Sequence, residues 1–191
     1  MYPLDIGRRF GGIPLIRPLI MGIVNVTPDS FSDGGETLAH AEAIARGRRH
    51  MADGADIIDV GGESTRPGAT AVAVDEELRR VLPVVEALAA AGAVVSIDTR
   101  HAAVMKAATE AGARIINDVS ALEGDCAALG IAAGSNADIV LMHMPGTPQT
   151  MRENARYGDV VEEVFSYLAQ RIAVCEAAGI ERRRLAIDPG F

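Results

Sequence analysis

ADGADIIDV, Ala52 to Val60, sets the pattern of the chain. A helix-like, Ala-containing segment ends in Gly, and a short β-branched apolar run follows and closes on a polar residue. Gly suits a helix C-terminus, because the residue past the end often takes the left-handed conformation. The pattern recurs along the sequence. Ala90-Ala91-Gly92-Ala93 leads to VVSID at 94–98, Glu110-Ala111-Gly112-Ala113 leads to RIIND at 114–118, and Ala178-Gly179 leads through a polar turn to LAID at 185–188. These apolar runs lack clean alternation, as strands buried on both faces of a parallel sheet do. Six strands are predicted, near 19–25, 56–61, 94–98, 114–118, 138–143 and 185–188, with helices between them. Alternating β and α elements argue for a parallel sheet, either a barrel or a doubly wound sheet, and periodicity alone does not separate the two.

Composition sets the bounds. The chain has 191 residues, enough for one domain with a sizeable core. A full (β/α)8 barrel typically needs about 250 residues. Apolar residues are 49% and charged residues 23%, with aromatics at 4% and no Trp, so Ala, Val, Ile and Leu must build the core. The net charge of −8 argues against a nucleic-acid partner, which would ask for a basic face. The two basic runs, Arg46-Gly47-Arg48-Arg49 and Arg182-Arg183-Arg184, sit where solvated helix faces or ends are expected. No apolar run reaches the roughly 18 residues of a membrane span, and the N-terminus, with Asp5, Arg8 and Arg9, shows no secretory signal. Cys126 and Cys175, both in Ala-rich context, read as free buried thiols in a reducing, cytoplasmic setting.

Two helices stand out by spacing. Val74, Leu78, Val81, Leu82, Val85 and Leu88 form one stripe, with Asp75, Glu76 and Glu77 in the first turn, where the helix dipole favours anions. Pro83 inside it is predicted to kink or divide the helix. Val160 to Ala178 is the second, with Val164, Leu168, Ile172 and Cys175 on one face.

The polar residues at the strand ends form a set: Asn25, Asp59, Asp98, Asn117, His143 and Asp188. In a parallel α/β fold these ends share one face, where such folds place their ligand sites. Each residue also has a bland reading. Asp98 could cap the next helix, Asn117-Asp118 and Asp188-Pro189-Gly190 are ordinary turn sequences, and His143 could be a core histidine. Repetition at strand after strand favours a site. Two loops add to it. TPDSFSDGG, Thr27 to Gly35, is polar and Gly-ended around Phe31, as suits a lid. GGESTRPG, Gly61 to Gly68, offers Thr65 and Arg66 as a grip for phosphate oxygens. No GK[ST] or GxGxxG nucleotide signature is present.

IMGIVNVTPDSFSDGG, DIIDVGGESTRPGA, VSIDT, IINDVSAL, LMHMPGTPQTM and IDPGF, in this order from Ile20 to Phe191, resemble the dihydropteroate synthases. The resemblance implies a TIM (β/α)8 barrel, forming a single pterin-binding domain over 1–191. It implies condensation of 7,8-dihydropterin-6-ylmethyl diphosphate with 4-aminobenzoate, releasing pyrophosphate, in folate biosynthesis. By position it assigns pterin contacts to Asp98, Asn117 and Asp188 and diphosphate contacts to Thr65 and Arg66. Phe31 and Asp33, with Pro67, fall among residues that order around the aminobenzoate. Asp98, Phe31 and Asp33 are thereby the catalytic candidates. Asn25 falls on the ligand of Mg2+, the implied cofactor, and sulfonamides are implied inhibitors.

The family pattern continues past Phe191, through a Lys motif, a seventh strand ending in Ser-Arg-Lys and an eighth carrying Arg and His. The expectation is therefore a barrel of about six βα units, truncated before strands 7 and 8, inactive and marginally stable alone, and not forming the family's homodimer. Two readings compete: a non-catalytic fragment, and a relative of the methyltetrahydrofolate corrinoid methyltransferases, which need no diphosphate grip.

Overall fold

Local chemistry explains the first element. Phe10-Gly11-Gly12-Ile13 puts two glycines at positive φ, 59° and 83°, between two short strands, β1 (Arg9–Phe10) and β2 (Ile13–Pro14), which pair antiparallel. A two-residue hairpin turn of this kind needs positive φ at both central positions. A computed structural model describes residues 7–26, 35–63, 72–147 and 150–190.

Six further strands make one sheet in strict sequence order: β3 (Met21–Asn25), β4 (Ile57–Gly61), β5 (Val94–Asp98), β6 (Ile115–Asp118), β7 (Asp138–Met142) and β8 (Leu185–Asp188). Every pair is parallel. The order never reverses, so the topology is that of a barrel wall and not of a doubly wound sheet, whose strand order turns back at a switch point. The connecting helices are α1 (Gly35–Ala52), α2 (Val74–Ala90), α3 (Ala102–Glu110), α4 (Ala128–Gly134), α5 (Met151–Asn154) and α6 (Val160–Ala177).

The period of two divides each strand between two cores. Val24, Ile58, Val60, Val95, Ile97, Ile116, Ile139 and Leu141 are buried in the main cluster with Val81, Val85, Leu88 and Met105 of α2 and α3. The alternate residues Ile57 and Ile115 join Phe10, Leu15, Met21, Val94, Val140 and Ala186 in a second cluster, which fills the concave side from below. The hairpin is fitted closely into that floor. A Cβ at Gly11 would lie 2.7 Å from Val94 Cγ1, and Gly11 N donates to Asp138 Oδ2 at 2.6 Å. The floor leaves the C-terminal ends of the strands free for polar residues.

The strands begin one or two residues later than predicted at 19, 56 and 114, and the one at 138–143 ends one residue sooner. The hairpin was not predicted. Pro83 does not divide α2, which runs unbroken from Val74 to Ala90. Pro83 is exposed, on the solvent side of the helix. Cys175 is buried as expected, but Cys126 is exposed, in the turn before α4 where Asp125 Oδ1 accepts from Ala127 N at 2.9 Å. Arg46, Arg48 and Arg49 lie on the solvent face of α1. No helix among the described residues is long and apolar enough to cross a membrane.

Candidate functional site

The parallel register places Asn25, Gly61, Asp98 and Asn117 in one row across β3 to β6. Gly61 is the gap in this row. A Cβ built there would lie 3.4 Å from Asp98 Oδ2 and 3.6 Å from Asn25 Oδ1, so an amide oxygen and a carboxylate oxygen flank the same side-chain-free space. Two residues deeper on β4 lies Asp59, opposite Ser96 in register and 4% exposed. Asn117 Nδ2 donates to Asp59 Oδ2 at 3.2 Å.

These carboxyls are held out of water. Burial pushes Asp59 up, against the opposing pull of Ser96 and Asn117. Asp98 is pushed well above the carboxylate range, first by burial and then by repulsion from Asp59, Asp118, Glu77 and Glu63. Asp98 Oδ1 and Asp59 Oδ1 are buried with no hydrogen-bond partner among the described residues. Buried polar atoms are almost always satisfied, so these two oxygens ask for a proton or for a donor from a ligand.

Asp188 ends β8, paired in register with Met142. The turn reading holds for one of its oxygens, since Oδ1 accepts from Gly190 N at 2.8 Å. Its backbone oxygen accepts from His143 N at 2.9 Å. Gly190 has φ 76°, and a Cβ there would fall 2.2 Å from His143 O, so only glycine closes this turn. The His143 ring is 8% exposed and meets Tyr167 edge-on at 5.2 Å, which gives it the core reading.

Asn117 and Asp118 part ways. Asn117 faces Asp59, while Asp118 accepts from Ser120 N, Ser120 Oγ and Leu122 N at 2.7, 2.7 and 2.9 Å and holds the next turn, where Ala121 and Leu122 take positive φ. Asp98 does not cap α3; Asp125 Oδ2 does, accepting from Ala102 N at 2.9 Å. Phe31, Asp33, Thr65, Arg66 and Pro67 lie outside the described residues.

A neighbouring group was not singled out by sequence. Arg100 pairs with Glu63 at 2.9 Å, and His101 Nδ1 lies 2.6 Å from Glu77 Oε2. Glu77, one of the three acids in the first turn of α2, is fully buried.

A carboxylate and amide row at the C-terminal ends of a barrel wall suits a flat heterocycle with adjacent N–H groups. A family model for pterin binding enzymes matches residues 21–191. The chain belongs to the family of pterin-binding enzymes. Among relatives of the chain, the dihydropteroate synthase of Escherichia coli strain K12 is 49% identical over 180 residues, which cover 94% of this chain and 64% of that protein. The structure of Xanthomonas albilineans dihydropteroate synthase with 4-aminobenzoic acid superposes with a TM-score of 0.87 at 52% identity, over 96% of this chain and 66% of that one. That of Burkholderia cenocepacia dihydropteroate synthase complexed with 7,8-dihydropteroate gives 0.82 at 44% identity, over 94% and 60%. The chain thus spans about 64% of the length of the curated relative it matches, and the six parallel strands of its described residues are those of an incomplete TIM barrel.

Proposed function

We propose that this chain supplies the pterin-binding face of a dihydropteroate synthase, which joins 7,8-dihydropterin-6-ylmethyl diphosphate to 4-aminobenzoate and releases pyrophosphate. The single observation that carries this reading is the row Asn25, Gly61, Asp98 and Asn117, with Asp59 behind it.

Asn117 gives its N–H to Asp59, which leaves its carbonyl oxygen to accept from the pterin. Asp98 and Asp188 would each accept from the adjacent amino and ring N–H groups. Donors of this kind favour the ionised carboxylate, so pterin binding would return Asp98 to its charged form. There it would stabilise the positive charge that grows on the pterin methylene as the C–O bond to diphosphate breaks. The electron pair leaves with pyrophosphate, the aminobenzoate nitrogen bonds to the methylene carbon, and that nitrogen releases its proton to water.

The hard oxygens of Asn25 and Asp98 beside the Gly61 gap fit Mg2+, which favours oxygen ligands, and Asn25 would hold it. When bound, Mg2+ would neutralise the charge on the leaving pyrophosphate. Thr65 and Arg66 are assigned to the diphosphate. Phe31, Asp33 and Pro67 are assigned to the aminobenzoate, with sulfonamides as competing mimics. In this reading the protein works in the cytoplasm.

Calorimetric titration of the chain with the pterin diphosphate, with and without Mg2+, tests the proposal. Mg2+-dependent binding that Asp98→Asn weakens at least tenfold is the expected result. No binding in either condition would overturn it, and binding indifferent to Mg2+ would favour a pterin site without a diphosphate grip.

A further inference from the structure

Outside the strand-end row, Glu63, Glu77 and His101 form a second cluster, and we propose that it binds a divalent transition cation of the Zn2+ or Mn2+ class. One ligand atom from each of the three lies within 4.8 Å of the other two. Glu63 follows β4, Glu77 sits in the first turn of α2, and His101 is the N-cap residue of α3. The cluster therefore bridges two successive βα units on the rim of the barrel wall.

Glu77 makes the case. Its side chain is 0% exposed, and one oxygen, Oε2, lies 2.6 Å from His101 Nδ1. The other oxygen, Oε1, is buried with no hydrogen-bond partner among the described residues. A proton on the imidazole answers Oε2 alone and leaves Oε1 bare, which is costly for a buried carboxylate. A cation among the three donors would answer Oε1 and take the imidazole lone pair together. Glu63 has room to share. Arg100 NH2 donates to its Oε1 at 2.9 Å, while the Nε contact to Oε2 is a longer 3.3 Å, so Oε2 is weakly held.

The donor set selects the metal. Two carboxylates and an imidazole suit borderline ions, whereas Mg2+ favours all-oxygen shells rich in water. Three protein donors would leave further positions to water, as in open zinc sites. The bound ion would fasten the end of β4 and the start of α2 to the turn after Asp98. A cation bound by folded protein alone raises the stability of that state.

The test uses the whole chain and does not require pterin binding. Mn2+ is titrated and followed by the electron paramagnetic resonance of the free ion. Zn2+ is titrated by calorimetry in a Cys126→Ser background, because the Cys126 thiol is exposed and would bind zinc on its own. Melting temperature is followed in parallel. The expected result is saturable binding of one ion at this cluster, a rise in melting temperature, and at least tenfold weaker binding there in both Glu77→Gln and His101→Gln. His101 is partly exposed, so its variant retains the fold even where the Glu77 variant is compromised. Asn25→Ala should leave this binding unchanged. Absence of saturable binding, binding untouched by His101→Gln, or binding lost in Asn25→Ala would each overturn the proposal.

Discussion

Asn117 donates its amide N–H to the buried carboxyl of Asp59 across the β4 to β6 span, 3.2 Å from Nδ2 to Oδ2. This bond fixes which end of the amide meets a ligand. Asn117→Ala would remove the donor and leave Asp59 with less support in a buried position. A loss of about 1–3 kcal/mol in folding stability is expected, as for other buried groups stripped of a partner. Urea denaturation checks it, and pterin affinity should fall in the same variant.

Asp98 makes folding stability depend on pH. Its carboxyl is raised in the folded chain by burial, then by Asp59, Asp118, Glu77 and Glu63. A raised folded value means that the folded state holds the proton more tightly than the unfolded one. The stabilisation is fully present below the ordinary carboxylate value and is lost as pH rises through the raised one. Asp98→Asn is therefore expected to be more stable than the unsubstituted chain at neutral pH, by about 1.4 kcal/mol for each unit of elevation. The two should converge in acid. Denaturation at pH 4 and pH 7 measures the difference; equal stability at both would contradict the electrostatic account.

Gly61→Ala tests the gap in the row. The added methyl would meet Asp98 Oδ2 at 3.4 Å and Asn25 Oδ1 at 3.6 Å, ordinary contact distances. The fold should survive with a stability change within about 0.5 kcal/mol, as for substitutions that create no clash. Binding of Mg2+ and diphosphate-bearing pterin should weaken at least tenfold. Calorimetry alongside denaturation separates the two effects.

Gly190→Ala should behave in the opposite way. Its φ is 76°, and the new Cβ would fall 2.2 Å from His143 O. The turn that holds Asp188 must then open, at about 1–3 kcal/mol for the left-handed residue alone. Both stability and pterin affinity should drop, as read by thermal melting and titration.

Much of the fold was legible because its signals are local. The repeated Gly before each β-branched run marks a helix end and a strand start, and four such glycines, Gly54, Gly92, Gly112 and Gly179, take positive φ. Barrel and open sheet could not be separated, because strand order is a long-range property. The hairpin at Phe10 to Ile13 is marked by Gly11-Gly12 alone, because its strands are two residues each, too short for an alternation to show. Within the site, the row of strand-end polar residues was readable, but its internal sorting was not. His143 and Asp118 sit at strand ends as Asp98 and Asn117 do, yet one packs against Tyr167 and the other holds a turn. Glu77 and His101 stayed hidden because each fits a surface role on its own helix, and their meeting depends on how α2 and α3 pack.

The central claim is that pterin binds at the strand-end row. The most direct measurement follows the side-chain carboxyl resonances of Asp98 and Asp188 and the side-chain amide of Asn117 during titration with the pterin diphosphate and Mg2+. Saturable shifts in all three at one common affinity are predicted. Unmoved resonances, or shifts confined to residues away from the C-terminal ends of β3 to β8, would contradict the account.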